Sequence, residues 1–373
     1  MVKLIIFHTP VRYGGGERQL VLLSKEFKKQ NLDFIIINLA KSDEFEQELK
    51  KENINFLTIT NKSLGDSPSK RKYLIHFLSL LTKIFNKDLK NYWDNAETIW
   101  ARDFPANFFV YVLIKIFGKK KQRFIYSRHF YKNPDHGIFK IIYLKVLSYF
   151  DKLIGVSEMV SESLKNTFPN LKDKIITIPN GIDLSQFEIQ ENKESLRKKL
   201  NLPLNKILTI YVARFTLPKN HIFLIDVVKK VDGFVMILIG EGETKEKIIT
   251  KIKEEKLEGR FLLLGYIKNE LIPLYLKAAD ICLFPSKGEG FSNAILEAMA
   301  SGLPVVIFKD IYSQEYGNNI LVANSEEEFI NYTKKLIEDE KFRKEIGEKL
   351  KQDALKLDIR NVVMQYLKLI KNG

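Results

Sequence analysis

Ile281-Cys282-Leu283-Phe284-Pro285-Ser286-Lys287-Gly288-Glu289-Gly290-Phe291-Ser292-Asn293-Ala294-Ile295-Leu296-Glu297-Ala298-Met299-Ala300-Ser301-Gly302-Leu303-Pro304 carries the strongest local signal in the chain. An apolar run ends at Phe284, a glycine-bearing loop follows, and a helix is predicted from about Ser292. A strand feeding a helix through a glycine loop is half of a crossover unit, and crossover units build parallel sheets. Backbone N–H groups at such a helix start have no intrahelical acceptor and, with the helix dipole, suit an anion. Glu289 and Glu297 stand eight positions apart. On one helix that is about 12 Å, beyond the roughly 5–9.5 Å of a glycosidase carboxylate pair. The spacing suits two grips on one elongated ligand. The plainer reading, two solvated helix charges, is weakened by the glycine loop and its place after a strand.

The same alternation fills the rest of the chain. Strands are predicted at 3–8, 34–39, 55–59, 98–101, 123–127, 152–156 and 174–178, then at 207–213, 234–239, 260–264, 281–284 and 304–308. Helical stretches lie between them, among them 17–29, 106–117 and 158–168, and 342–371 reads as one or two amphipathic helices. This implies an α/β protein of two doubly wound sheets, which bind ligands outside the carboxyl ends of their strands. The turn Pro179-Asn180-Gly181 and the charged segment Gln190–Lys199 mark the break between domains.

The chain has 373 residues with 60 Lys and Arg against 46 Asp and Glu. Residues 1–180 hold 30 basic and 18 acidic side chains, and residues 181–373 hold 30 and 28, so the excess lies in the first half. A single cysteine, Cys282, excludes an internal disulfide framework and a cysteine metal site. The apolar run from Phe108 to Ile114 is far shorter than the roughly 18 residues that span a bilayer. The start reads as a first strand and not a signal peptide. A cytoplasmic protein is expected, at the inner face of the membrane if it touches one. Between Lys115 and Lys145 stand Lys115, Lys119, Lys120, Lys121, Arg123, Arg128, Lys132, Lys140 and Lys145 with one acid, Asp135. Phe108, Phe109, Tyr111, Phe117, Phe130, Tyr131 and Phe139 are interleaved or adjacent. The mixture fits peripheral contact with an anionic membrane; core aromatics under solvated cations are the alternative.

The Glu289-to-Glu297 segment resembles the Glu-x7-Glu signature of the family-4 retaining glycosyltransferases, also called glycosyl transferases group 1. Other landmarks follow in the family's order. Gly14-Gly15-Gly16-Glu17-Arg18 resembles its glycine loop, Asp151–Ser157 its last first-domain strand, and Ile178–Asp183 its interdomain turn. Val212-Ala213-Arg214-Phe215 with Lys219-Asn220-His221 resembles its diphosphate loop, and Gly240–Glu243 and Leu264-Gly265-Tyr266 match two more landmarks. One departure stands out: Lys309–Glu315 lacks the glycines of the family's Gly-Gly-x-x-Glu loop, so Glu315 is the remaining counterpart.

The resemblance implies two Rossmann-like domains facing a cleft (GT-B), residues 1–180 on the acceptor side and 181–356 binding a nucleotide sugar, with a helix over 357–373 packing back on the first. It implies a retaining transfer of a sugar from a nucleotide diphosphate sugar, a UDP-sugar by commonness in the family, to a glycan or lipid-linked hydroxyl acceptor in cell-envelope glycan or glycolipid synthesis. Arg214 and Lys219 would clamp the diphosphate, Glu289 would hold hydroxyls of the donor sugar, Glu297 the ribose, and His129 would face the donor sugar. Gly15, Gly16, Gly240, Gly290, Phe291 and Ser292 would let backbone approach the donor, and Tyr266 and Ile267 would meet the base. Arg is a planar fork and Lys a point charge, both suited to phosphate oxygens. Glu17 is either part of this loop or a first-turn charge favoured by the dipole, and His221 is structural. With no Asp-x-Asp in the chain, no metal or other cofactor is expected. The alternatives are a nucleotide-sugar epimerase of similar fold and, in a different class, a basic nucleic-acid-binding protein, which would explain the charge of the first half. Gly14-Gly15-Gly16 is not the G-x-G-x-x-G of an NAD enzyme, and no nucleic-acid module accompanies the basic first half.

Overall fold

In a computed structural model, which describes residues 3–10, 13–65, 70–119, 121–129 and 137–371, the chain forms two compact units: Met1–Gly181 with Ile359–Gly373, and Ile182–Asp358. The first unit holds β1 (Leu4–His8), β2 (Phe34–Asn38), β3 (Phe56–Thr58), β4 (Thr98–Arg102), β5 (Arg123–Arg128), β6 (Lys152–Gly155) and β7 (Ile175–Thr177). They make one parallel sheet in the order β3-β2-β1-β4-β5-β6-β7. Every residue of β1, β2 and β4 is buried. Helices cover both faces of such a sheet, which is why its strands read as continuous apolar runs and not as alternation.

The second unit repeats the plan with β8 (Ile207–Val212), β9 (Phe234–Ile239), β10 (Phe261–Gly265), β11 (Ile281–Phe284), β12 (Val305–Phe308) and β13 (Leu321–Ala323). The order is β10-β9-β8-β11-β12-β13, again parallel. Each sheet thus reverses its winding once, between β1 and β4 and between β8 and β11. Ligands of doubly wound sheets bind at the carboxyl ends beside such a reversal.

Helix Asn293–Ala300 follows β11, with Ser292 at its N-cap. Glu297 lies on this helix but Glu289 lies before it, in the loop, so the rise along a single helix does not set their separation. The C-terminal segment is two helices, Glu340–Leu355 and Ile359–Lys371. The last one buries Ile359, Val362, Val363, Tyr366 and Leu367, an i, i+3, i+4, i+7, i+8 stripe, in the core of the first unit. Tyr366 stacks on Trp100 of β4 at 4.8 Å between ring centres. Among the described residues no helix is long and apolar enough to cross a membrane.

Candidate functional site

In the second unit the loops after β8, β9 and β10 are laced together by backbone hydrogen bonds. Ala213 N–H donates to Ile239 O, Phe215 N–H to Glu241 O, and Gly240 N–H to Gly265 O, at 2.8–3.0 Å. Two glycines make this approach feasible. A Cβ on Gly240 would lie 2.0 Å from Ala213 O, and one on Gly242 2.4 Å from Phe215 O, and both residues have positive φ. Gly240 therefore serves loop packing; the structure gives it that part whatever it offers a ligand. Arg214 is exposed just beyond β8.

Lys219 sits on the short turn Leu217–Lys219, which leads through Asn220 (φ 52) into helix His221–Lys230. The Tyr211 hydroxyl donates to Lys219 O at 3.0 Å. Lys219 Nζ pairs with Glu289 Oε1 from the loop after β11. The Ser286 hydroxyl donates to the same oxygen at 2.6 Å, and Lys287 N–H donates to Pro218 O at 2.7 Å. The two loops that flank the β8/β11 reversal thus present a cation and a carboxylate side by side, each about a fifth exposed. Arg214, Lys219 and Glu289 all stand at carboxyl ends of the two strands beside the reversal. Glu297 is buried on the helix that follows. Gly290, Phe291 and Ser292 are buried in the turn before it. Tyr266, 70% exposed, and the half-buried Ile267 follow β10, next to the laced loops.

One residue escaped the sequence reading. Tyr316 is fully buried, stacks on Phe291 (4.6 Å, 7°) and accepts the Ser292 N–H at 2.7 Å. Of the N–H groups at this helix start, that of Ser292 is therefore already taken. Glu315 is held by the Ser313 hydroxyl. The segment without the family's glycines braces the signature loop with an aromatic ring, and the neighbouring Glu315 was the signal that could have found it. His221 lies flat on Phe215 at 4.1 Å, and burial beside Lys219 pushes its pKa down to about 4. Among the described residues its two ring nitrogens have no partner.

In the first unit Gly15 opens helix Gly15–Lys29, and open space surrounds a Cβ built on Gly16. Glu17 Oε2 accepts Gly14 N–H at 3.1 Å and Oε1 accepts from His8 Nε2 at 3.2 Å. Burial would raise the Glu17 pKa, but the His8 hydrogen bond and nearby charges bring it below the ordinary value. Glu17 is thus a buried capping group tied to β1, more than a solvated first-turn charge. His129 follows β5, with Arg102 Nη2 3.3 Å and Ser127 Oγ 3.2 Å from its Nε2. Its backbone N–H donates to Asp103 Oδ1 at 2.9 Å. Burial, reinforced by Arg102, His8 and Arg128, holds its pKa well below the usual histidine range, so the ring is neutral near pH 7.

The basic stretch resolves unevenly. Lys120, Phe130, Tyr131, Lys132 and Asp135 lie outside the described residues. Arg128 is buried and donates to Tyr143, so it is no surface cation. Phe109 is core. Lys119 pairs with Asp151, and Lys115 lies over the Tyr149 ring. Helix Gly137–Ser148, in contrast, exposes Ile138, Phe139, Ile141 and Ile142 with Lys145 and has no acid.

Residues 13–186 match the family described as Glycosyltransferase Family 4, and residues 192–353 that described as Glycosyl transferases group 1. Over 99% of its length the chain is 24% identical to all of the N-acetylgalactosamine-N,N'-diacetylbacillosaminyl-diphospho-undecaprenol 4-alpha-N-acetylgalactosaminyltransferase of Campylobacter jejuni. It is 35% identical to the UDP-Gal:alpha-D-GlcNAc-diphosphoundecaprenol alpha-1,3-galactosyltransferase of Escherichia coli, a match spanning 48% of this chain and 44% of that one. Among solved structures, Anabaena HepE in complex with UDP-glucose superposes over 100% of both chains with a TM-score of 0.82 at 20% identity, a likeness of fold. One family match falls in each unit, together they run along nearly the whole chain, and the two parallel sheets agree with them: the chain belongs to glycosyltransferase family 4 and is a nucleotide-sugar glycosyltransferase of the GT-B fold.

Proposed function

We propose that the chain transfers a hexose or hexosamine from a UDP-sugar to a hydroxyl of a polyprenyl-diphosphate-linked glycan, with retention of anomeric configuration, in cell-envelope glycan synthesis. The observation that carries this reading is the Lys219–Glu289 pair at the β8/β11 reversal. A donor brings the two groups that compete for this pair: phosphate oxygens for Lys219 and sugar hydroxyls for Glu289. Arg214 joins Lys219 on the diphosphate. Glu297 accepts from the ribose hydroxyls, and Tyr266 and Ile267 border the base. The turn Gly290-Phe291-Ser292, braced by Tyr316 through the Ser292 N–H, brings the backbone of Gly290 and Phe291 and the Ser292 side chain to the donor, and Gly15 and Gly16 offer backbone to it. His129 hydrogen-bonds the donor sugar. The leaving diphosphate takes the proton of the incoming hydroxyl on its own face, so catalysis rests on positioning and on neutralising the leaving group. Arg214 and Lys219 supply that neutralisation. Residues 1–181 with the last helix serve the acceptor, and 182–358 the donor.

The names of both relatives contain a diphospho-undecaprenol and an alpha linkage, which supports an acceptor anchored in a membrane. The exposed apolar face of helix Gly137–Ser148 supports the same point and moves the membrane contact from the cations between Lys115 and Lys145 as a group onto this helix. Thermal melting tests the donor reading. UDP should raise the melting temperature, while NAD and an oligonucleotide should leave it unchanged. Stabilisation by NAD or the oligonucleotide alone would overturn it.

A further inference from the structure

Arg102 ends β4 and is 1% exposed. Its Nη2 lies 3.1 Å from Gly16 O and 3.3 Å from His129 Nε2, while Nε and Nη1 are buried and, among the described residues, without partners. Among the described residues no carboxylate is in contact with it; Asp103 and Glu17 act on it at a distance. A buried cation held so loosely is costly; besides the Trp100 ring, whose centre is 5.8 Å from its guanidinium carbon, it touches two elements of the proposed site, the glycine loop and His129.

The chemistry of that contact is one-sided. A guanidinium donates and never accepts, so Nε2 of His129 must offer its lone pair and the ring proton must sit on Nδ1. Ser127 agrees: its Oγ accepts Trp100 Nε1–H at 2.9 Å, leaving its own hydrogen for Nε2 at 3.2 Å. Asp103 fixes the backbone of the same residue. His129 is half-buried, and among the described residues its Nδ1 has no partner.

We infer that Arg102 is a positioning residue that locks His129 as the Nδ1–H tautomer and so makes it a neutral hydrogen-bond donor and not a base. The groups facing the ring are Arg102 and Asp103 from the end of β4, His8 from β1, Arg128 from β5 and, through His8, Glu17 of the glycine-loop helix. Burial and the cations among them oppose its protonation. The consequence for transfer rests on the reading that His129 meets the donor sugar. Nδ1–H donates to a substrate oxygen, and no lone pair is left to deprotonate the acceptor, which leaves that task to the departing diphosphate.

The test needs neither donor nor acceptor, so it stands apart from the reading of the reaction. Full-length protein labelled with 15N at its five histidines is followed by long-range 1H–15N correlation across pH 5.5 to 8. In the wild type His129 should stay neutral with the proton on Nδ1. Arg102→Met should populate the second tautomer and move the His129 titration upward. Arg102→Lys should restore part of the wild-type pattern. Ser127→Ala should leave the tautomer unchanged, and this holds as a test even where Arg102→Met fails to fold. In transfer, Arg102→Met should add an acid limb to the turnover profile with UDP affinity unaltered. An Nε2–H or charged ring in the wild type overturns the inference. So does a tautomer that follows Ser127→Ala, or one indifferent to Arg102→Met.

Discussion

Lys219 and Glu289 neutralise each other in a half-buried position, so removing either leaves a charge without its counter-ion. Lys219→Ala is expected to lower transfer by about 10²–10³-fold, the usual cost of one transition-state cation. Glu289→Gln should depress turnover more than UDP affinity. The double variant should lose less than the product of the two single losses, because they share one interaction. Turnover measured on all four proteins decides this, and strictly multiplicative losses would separate the two side chains. His221 gives a second expectation at this scale. Its folded pKa of about 4 lies below the unfolded value near 6.5. The unfolded chain therefore binds the extra proton between these values, and stability that is complete above pH 6.5 is lost as pH falls toward 4, about 3 kcal/mol in all. His221→Phe keeps the ring on Phe215 and removes the titration. Between pH 7 and pH 5 its melting temperature should fall less than that of the wild type, and equal slopes would refute the assignment.

At the scale of elements, helix Gly137–Ser148 leaves a row of apolar side chains exposed. Phe139 is 72% exposed and Ile138 68%, on a helix with two lysines and no acid. A bilayer with anionic headgroups covers apolar side chains and attracts the lysines, each worth about 1 kcal/mol near the surface. The protein should sediment with vesicles of phosphatidylglycerol and phosphatidylcholine. Salt should weaken that binding, since surface charges are screened beyond about 10 Å at 0.1 M. Phe139→Glu with Ile141→Glu should abolish it while UDP still raises the melting temperature. Undiminished sedimentation of that variant would clear the helix. The sequence composition had pointed to the whole span Lys115–Lys145. Charge and aromaticity alone could not tell the buried Arg128 and Phe109 from the outward Phe139, because strand and helix packing decides which face is solvent. The same limit hid β13, only three residues long at a sheet edge, and Tyr316, which meets Phe291 from 25 positions away.

Across the whole molecule, the two parallel sheets were legible because strands buried on both faces read as near-continuous apolar runs, as β1 and β2 do up to His8 and Asn38 at their ends and β4 does between Thr98 and Arg102. The second-unit residues were legible because loop, turn and helix start are local in sequence. The first-unit network was not: Arg102 and His129 stand 27 positions apart and meet only because β4 and β5 are neighbours. The central claim is transfer from a UDP-sugar with cations of the chain itself at the diphosphate. Its most direct test is UDP release by the full-length protein, with a panel of UDP-hexoses and UDP-N-acetylhexosamines, an undecaprenyl-diphosphate-linked glycan as acceptor, and excess EDTA present. Acceptor-dependent UDP release and a glycan longer by one alpha-linked sugar are expected for at least one donor, and both should be lost in Lys219→Ala. No release with any donor, or release that vanishes in EDTA and returns only with magnesium or manganese, would contradict it.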